Sequence, residues 1–491
     1  MTEPTNQPSL WEAAGAIRHL DALRARQLVE AFRKPLAFAG NGLTHAVDDP
    51  VLAEGWNGVT LTRVASHDGT ADVAGSWKTN LHLHGLLRLP LSVARELARH
   101  PGNLYLDKVA TLTEAVAVEL AGHEGGELSL DNLQSITETV AAALGRHGGD
   151  LSLNGVTHLD HRAASGLARH ATTLHLDGLP LVESPAAAAL SHHRGDLHLN
   201  GIIVLSGVVA GHLARHSGQL HLHGLTSLPD AAAEALGRRT GYLCLKRLAR
   251  LSSRQAEVLA GHRGELQLPA VQVDDAVAES LGRHRGSLLI HVPADVPLHR
   301  LEALVRHQGP LEISGLVTLD ERRARVLAAQ SGLGGIRGLS CLFIDRVNRI
   351  TPAVAAILAT HTAGGLAIND LTELSEEAAA ELVKHPILSL DRLVRVSDRV
   401  AAILATHAGV TLSLRGLKEA SGQAIARLKA TPSVELSRRH DAASATPHTP
   451  LSGAAAGGHQ DRRELVRLLS RIARCGEAAL RRHGSSPEGS A

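Results

Sequence analysis

The chain has 491 residues, with 50 basic and 49 acidic side chains and a formal net charge of +1 at pH 7. This balance argues against broad nucleic-acid binding, which needs a basic face. Aromatic residues make up only 2% of the chain, too few for a set of conventional globular cores, and no apolar run reaches the roughly 18 residues of a membrane-spanning helix.

The N-terminal segment, residues 1–35, is predicted to form a capping helix. Ser9 and Glu12 have the spacing of a capping box, and apolar residues recur at helical spacing as far as Phe32. A stack of repeats exposes the apolar side of its first unit, so a helix that covers this side is expected.

Residues 36–437 repeat one pattern. Leu151–Ala171 reads LSLNGVTHLDHRAASGLARHA, and Leu220–Gly241 reads LHLHGLTSLPDAAAEALGRRTG. The period is about 23 residues and recurs about 17 times, which is the signature of a solenoid. The copies at Leu36 and Val59 are degenerate, and a longer copy suggests an extruded loop or a break at 328–341.

Each repeat is predicted to fold as a short strand followed by a short helix. The opening L-x-L alternates as a strand does, and the Asn-Gly or Asp-Gly that follows predicts a turn. Polar residues then have the position of helix N-caps: Ser135 or Thr137, Ser206, Ser252, Thr351 and Ser375. Stacked copies place the strands in one parallel sheet and the helices in a second layer.

This pattern resembles the leucine-rich repeat family, and within it the cysteine-containing subclass. The matching positions of one copy are Leu220, Leu222, Gly224, Leu225, Leu228, Leu236 and Gly237. The units here are shorter, and the subclass cysteines are replaced. The resemblance implies an α/β fold: a right-handed β-α solenoid shaped like a horseshoe, with parallel strands on the concave face and short helices on the convex face.

The C-terminal part changes composition. Residues 438–460 are rich in Ala, Ser, Thr, Pro, Gly and His, which predicts a flexible linker. Residues 461–484 place Leu465, Leu468 and Ile472 on one face beside many arginines, which is typical of a basic amphipathic helix. Residues 485–491 are predicted to be a disordered tail.

One repeat position, near the end of each predicted helix, is almost always histidine. Arg239 and Thr431 replace it in two copies. The members are His100, His123, His147, His170, His193, His216, His262, His284, His307, His361, His385 and His407. We expect each imidazole to cap the carbonyls that end its own helix and to pack beside its neighbour, because a structural role is needed in every layer. If the rings are buried and neutral, stability should fall near pH 5.

The second and fourth residues of each L-x-L-x are predicted to face a ligand. They include a column of Asp and Asn residues, most of whose signal we attribute to turn chemistry, and a histidine cluster on three successive strands. The candidate binding residues are Tyr105, Asp107, Asp131, Asn154, His175, Asp177, His198, Asn200, His221 and His223.

Neither a metal nor another cofactor is expected at this face, because strands of a flat sheet hold side chains too far apart for tight chelation. No phosphate-binding glycine loop or zinc-protease motif is visible, and we expect no enzymatic activity. The three cysteines (Cys244, Cys341 and Cys475) are far apart and indicate no disulfide framework. With no visible signal peptide, this predicts a cytoplasmic protein.

The leading functional prediction is a non-enzymatic scaffold that binds a protein or peptide partner on its concave strand face. The alternative is a structural or regulatory element whose C-terminal basic helix binds an acidic partner, a membrane surface or a nucleic acid. Outside that helix we expect no membrane or nucleic-acid binding.

Overall fold

The computed structural model describes residues 21–33, 59–64, 78–83, 85–330, 340–362 and 364–437. The chain divides into two compact units, Met1–Leu248 (unit 1) and Ala249–Ala491 (unit 2). Each unit contains one layer of strands and one layer of helices. The predicted linker, basic helix and tail lie outside the described residues, as does the first part of the predicted capping helix.

Strands and helices alternate along unit 1. Its described strands are β1 (Val59–Val64), β2 (Lys78–Leu83), β3 (Asn103–Tyr105), β4 (Leu128–Ser129), β5 (Leu151–Ser152), β6 (Leu174–His175), β7 (Leu197–His198), β8 (Leu220–His221) and β9 (Thr240–Cys244). Its described helices are α1 (Ala22–Arg33), α2 (Leu91–Leu97), α3 (Glu114–Ala121), α4 (Glu138–Leu144), α5 (His161–Leu167), α6 (Ser184–Leu190), α7 (Gly207–Leu213) and α8 (Asp230–Gly237).

Unit 2 continues the alternation. Its described strands are β10 (Arg263–Leu268), β11 (Leu288–His291), β12 (Leu311–Ser314), β13 (Ser340–Ile344), β14 (Gly364–Ala367), β15 (Ile387–Ser389), β16 (Thr411–Leu414) and β17 (Val434–Leu436). Its described helices are α9 (Ser253–Ala260), α10 (Asp275–Leu281), α11 (Leu298–Leu304), α12 (Glu321–Ala328), α13 (Pro352–Ala359), α14 (Glu376–Leu382), α15 (Asp398–Leu404) and α16 (Gly422–Lys429).

The opening leucines of the strands form one in-register column in each unit. In unit 1, Leu151 pairs in parallel with Leu174, and Leu174 with Leu197. In unit 2 the column crosses the longest repeat without a shift, because Leu311 pairs with Leu342. These leucines are fully buried, and burial of one such side chain contributes about 1.5–3 kcal/mol.

The helices form the second layer, and each packs against the next helix of its unit. In α5, Ala163, Ala164 and Leu167 face the core. The cap predictions are confirmed at Thr137 and at the four Ser and Thr positions that follow it, each of which accepts the backbone N–H three residues on. Thr137, and not Ser135, is the N-cap of α4.

The start of unit 1 differs from the expected parallel array. β1 pairs with β2 in the antiparallel sense, with Val59 opposite Leu83. Residues 65–77 join the two strands, a connection of 13 residues against 19 between β2 and β3. Parallel neighbours need a crossover, whereas antiparallel neighbours do not, so the shorter connection suits the observed pairing. Helix α1 packs against α2, with Ala25 and Val29 buried; its role as a cap stays a prediction.

The predicted turns form at the Asn-Gly and Asp-Gly positions, and a second constraint acts on the glycines of the repeat. A Cβ atom at Gly149 would overlap the carbonyl oxygen of Gly126, and one at Gly178 would overlap that of Asn154, each in the preceding repeat. Neither glycine has a positive φ. These positions are glycine because neighbouring repeats approach too closely for a side chain, and not because a positive φ requires it.

Buried leucine columns and paired layers confirm the predicted α/β class and the β-α solenoid within each unit. Among the residues that the structure describes, no helix has both the length and the apolar character that crossing a membrane requires.

Candidate functional site

The predicted histidine column is buried in the helix layer. All twelve imidazoles are at most 5% exposed. Successive rings lie side by side: the centroids of His170 and His193 are 5.8 Å apart with planes inclined by 9°, and those of His123 and His147 are 5.5 Å apart. The expectation that each ring packs beside its neighbour is confirmed. We call this set the helix-layer column.

The column's hydrogen bonds bridge repeats, which corrects the expected capping of each histidine's own helix. His170 Nε2 lies 2.8 Å from the carbonyl oxygen of Gly149, and His147 Nε2 lies 3.2 Å from that of Gly126. Both acceptors belong to the loop between the helix and strand of the preceding repeat. A carbonyl only accepts, so Nε2 carries the proton in each case. His147 and His170 therefore each tie their repeat to the one before it.

Burial holds these imidazoles neutral. It is the first cause that lowers the pKa of His123 to about 3 and the pKa of His307 to about 4. Neighbouring imidazoles add to the effect, because a second positive charge a few ångströms away disfavours protonation. These members of the column are thus uncharged imidazoles.

The residues that replace histidine make comparable contacts. Gln330, a member that the sequence analysis missed, is buried and donates from Nε2 to the carbonyl oxygen of Gly309 at 3.0 Å. Arg239 is buried and donates to the carbonyls of His216 and Gly218. The position selects for a donor that reaches the preceding repeat.

The Asp and Asn column on the strand face forms a ladder between repeats. Asp131 Oδ1 accepts the backbone N–H of Asn154 at 2.9 Å, Asn154 Oδ1 accepts that of Asp177 at 2.9 Å, and Asp177 Oδ1 accepts that of Asn200 at 2.8 Å. Asp107 and Asn200 continue the series at its two ends. We call these five residues the polar ladder. The predicted turns form at these positions, and the side chains in addition bind the next repeat.

Aromatic rings stack along the strand face of unit 1. His175, His198 and His221 occupy equivalent positions on β6, β7 and β8, with centroids 4.2 and 3.9 Å apart. Tyr242 follows at 4.8 Å from His221, and His223 meets His221 edge to face. We call His175, His198, His221 and Tyr242 the strand-face stack. The spacing follows from adjacent strands about 4.8 Å apart.

Tyr105 lies in a second, smaller stack near the start of the array. Its ring stacks on His82 at 4.1 Å, and its hydroxyl donates to Glu127 Oε2 at 2.8 Å. Burial and the Glu127 carboxylate raise the pKa of Tyr105, and burial raises the pKa of Glu127. The structure therefore separates Tyr105 from the histidine cluster by two strands and gives it a carboxylate partner.

Three members of the candidate set come together as possible metal ligands. One ligand atom each from His175, Asp177 and His198 lies within 4.8 Å of the others, and all three side chains are partly exposed. We call them the histidine–aspartate trio. The reason given for expecting no metal, that strands hold such side chains too far apart, is wrong for these residues. Burial, and then His175, lower the pKa of His198 to about 4.

Some residues of this face were not predicted. Glu127 and Tyr242 precede the opening leucine of their strands, and so does Asp196, whose Oδ1 accepts the backbone N–H of Gln219 at 3.0 Å. Residues two apart on a strand share a face. The residue before the opening leucine of L-x-L-x therefore lies on the same face as the second and fourth residues of that pattern. The alternation in the sequence would have found them.

Comparisons with known proteins give only remote structural similarities. No protein-family model matches the chain, and no curated protein matches it in sequence. Among solved structures, a Leptospira interrogans leucine-rich repeat protein is similar over 71% of this chain and 98% of its own, at 15% identity and a TM-score of 0.32. A Listeria monocytogenes internalin is similar over 71% of this chain and 88% of its own, at 14% identity and a TM-score of 0.33.

The mouse RP105/MD-1 complex contains a chain that is similar over 72% of this chain and 69% of its own, at 12% identity and a TM-score of 0.41. At such scores these similarities add nothing to the contacts described above, which establish the fold by themselves: in-register leucine strands, one short helix per unit and ladders between units. The contacts thus establish a β-α solenoid within each unit.

Proposed function

We propose that the strand face of unit 1 binds a protein or peptide partner without catalysing a reaction. The observation that carries this proposal is the strand-face stack. Its rings and the adjoining carboxylate and amide groups cover successive strands, and His175 and His198 are partly exposed. Ordered aromatic and polar side chains are the usual components of a protein-binding surface, because little entropy is lost when they are covered.

An apolar border supports the same surface. Leu181, Ile203 and Val204 follow β6 and β7 in the loops at the carboxyl ends of these strands and are 58%, 52% and 62% exposed. The two loops are adjacent, because the Ile203 N–H donates to the Pro180 carbonyl at 3.4 Å. Exposed aliphatic groups beside ordered polar ones favour a binding role for this part of unit 1.

The candidate binding residues differ in how far the fold itself uses their side chains. The polar ladder is engaged in holding repeats together, so its carboxylates and amides support the surface as well as line it. The stack residues and Tyr105 present ring faces and edges that the fold uses less. The proposed contacts therefore centre on Tyr105, His198 and His223, with the ladder as their frame.

The test compares partners of the intact chain and of two matched variants. One variant carries Tyr105→Ala, His198→Ser and His223→Ala on the strand face. The control carries Arg146→Ala, Arg169→Ala and Arg215→Ala, three exposed positions beside the helix-layer column in the same unit. Each is purified, its melting is checked, and bound proteins are quantified after cross-linking.

A partner of the strand face is retained by the control and lost, by about tenfold or more, by the strand-face variant. Equal recovery by all three chains would contradict the proposal. A fourth arm removes every residue after Arg438. Loss of the partner in that arm alone would favour the predicted C-terminal basic helix as the binding element, which stays a prediction.

A further inference from the structure

The histidine–aspartate trio breaks the pattern of its own ladder. A serine on β4 and another on β5 each donate to the ladder carboxylate of the preceding repeat. Ser129 Oγ donates to Asp107 Oδ1 at 2.5 Å, and Ser152 Oγ donates to Asp131 Oδ1 at 2.6 Å. At Asp177 the equivalent residue of the next strand is His198. An imidazole thus stands where the other carboxylates have a hydroxyl donor.

The trio occurs once among the described residues, whereas the structural elements of this solenoid recur in most repeats. His175 is the last residue of β6, Asp177 follows two residues later, and His198 lies beside His175 on β7. The next repeats do not reproduce the set, since Asn200 and His223 occupy the ladder position there. Side chains that hold the repeats together are needed in every layer, whereas a ligand-binding site is needed only once. The single occurrence of the trio therefore favours a ligand site.

Neighbouring residues already orient two of the three ligands. Asn200 donates its backbone N–H to Asp177 Oδ1 at 2.8 Å and its Nδ2 to Asp177 Oδ2 at 3.1 Å. Each carboxylate oxygen keeps a second lone pair. The His221 ring stacks on His198 at 3.9 Å with planes inclined by 13°. Support of this kind from outside the ligand set fixes ligand orientation in metal sites.

We propose that His175, Asp177 and His198 bind one Zn²⁺ ion. Two imidazole nitrogens and one carboxylate oxygen are ligands that zinc accepts, and three protein ligands leave a fourth position for water or an external group. Tetrahedral ligand atoms lie about 3.4 Å apart at metal–ligand distances of about 2.1 Å. The trio, now within 4.8 Å, closes by up to about 1.4 Å, which its partly exposed side chains can do by small rotations.

The site offers a negative charge and open access to an ion. Asp177 supplies one carboxylate directly to the ligand set. The two ligand imidazoles lie on the partly exposed face of the sheet, so an ion reaches them without opening the core. The proposed zinc site shares His198 with the proposed partner contacts, but a metal titration without a partner tests the zinc site alone.

The experiment titrates Zn²⁺ alone into the chelator-treated full chain by calorimetry, and repeats the titration with Co²⁺, whose visible absorption reports tetrahedral coordination. The variants are Asp177→Asn and His198→Ser. Both install residues that neighbouring repeats already hold, Asn154 and Ser152, so the ladder is kept. His192→Ser is the control, because His192 is an exposed histidine in the same repeat as His175.

The expected result is one Zn²⁺ per chain for the wild type and the control, with affinity weakened at least about tenfold in both trio variants, and a tetrahedral Co²⁺ spectrum that the trio variants lose. Thermal unfolding without metal confirms that each variant is folded. No Zn²⁺ binding by the wild type, or equal binding by the trio variants, would overturn the proposal. Because no partner is present, either outcome leaves the partner proposal standing.

Discussion

Unit 1 contains two histidine columns that differ in what surrounds them. The helix-layer column recurs in most repeats and is buried, and its members His147 and His170 donate to carbonyls of the preceding repeat. The three histidines of the strand-face stack lie on β6, β7 and β8, and two of them are partly exposed. The same residue type therefore holds the layers together on one side and forms a local surface on the other. Periodicity and burial, and not residue identity, distinguish the two roles.

The largest expected effect is the response of the helix-layer column to acid. Burial lowers the pKa of His216, His307 and His361 to about 4, below the value of about 6.5 in an unfolded chain. The unfolded state then binds more protons, so stability is complete above pH 6.5 and is lost as the pH falls towards 4. At pH 5.5 each such imidazole should lose on the order of 1 kcal/mol.

Urea midpoints measured at pH 7.5, 6.5 and 5.5 check this expectation. Ordinary carboxyl groups titrate near pH 4, so a loss above pH 5.5 reports histidine. Equal midpoints at pH 7.5 and 5.5 would show that the buried column does not titrate as described.

A single substitution in the helix-layer column should have the next largest effect. His170→Ala removes the bond to Gly149 and leaves a void between His147 and His193, at a loss of about 2–4 kcal/mol. His170→Gln should lose less than half as much, because Gln330 makes the same kind of bond to Gly309. Denaturant midpoints of the two variants test this, and equal losses would contradict the donor role.

The polar ladder should come third. Asp131→Ala removes the acceptor of the Asn154 N–H and of the Ser152 hydroxyl, at a loss of about 1–3 kcal/mol. Asp131→Asn keeps the backbone bond, as Asn154 does towards Asp177, and should retain most of the stability. Thermal unfolding compares the pair, and a ladder role is contradicted if Ala and Asn are equally well tolerated.

The smallest effect is expected on the strand face. His198→Ser should change stability by less than about 1 kcal/mol, because Ser129 and Ser152 occupy the equivalent positions of β4 and β5. Thermal unfolding again provides the measurement. A loss as large as that of His170→Ala would show that the strand-face stack is a structural element like the helix-layer column.

The periodic features of the fold could be predicted because the same residue pattern occurs in each repeat. The leucine column and the caps at Ser206 and Ser252 follow from spacing and residue type alone. The antiparallel pairing of β1 could not be predicted, because only degenerate copies precede β2 and the pairing suits the short connection between β1 and β2. The buried Gln330 was missed because its repeat contains extra residues after the helix.

The partners of the predicted site residues depended on how repeats stack. The sequence places His170 at a helix end, but the offset between layers decides that the Gly149 carbonyl accepts its hydrogen bond. In the same way Asp177 and His198 are 21 positions apart in the chain, and only the in-register pairing of β6 with β7 brings them together. Contacts between copies require the three-dimensional offset, which a consensus does not contain.

In this account the helix-layer column stabilises the fold, whereas the strand-face histidines form a local site. The most direct test of this central claim is the thermal unfolding midpoint with and without Zn²⁺ for the wild type, His170→Gln and His198→Ser. A ligand that binds only the folded state raises the midpoint. The account predicts a rise for the wild type and for the less stable His170→Gln, and no rise for His198→Ser, whose midpoint without metal stays near that of the wild type. An equal rise in all three chains, or none in the wild type, would contradict it.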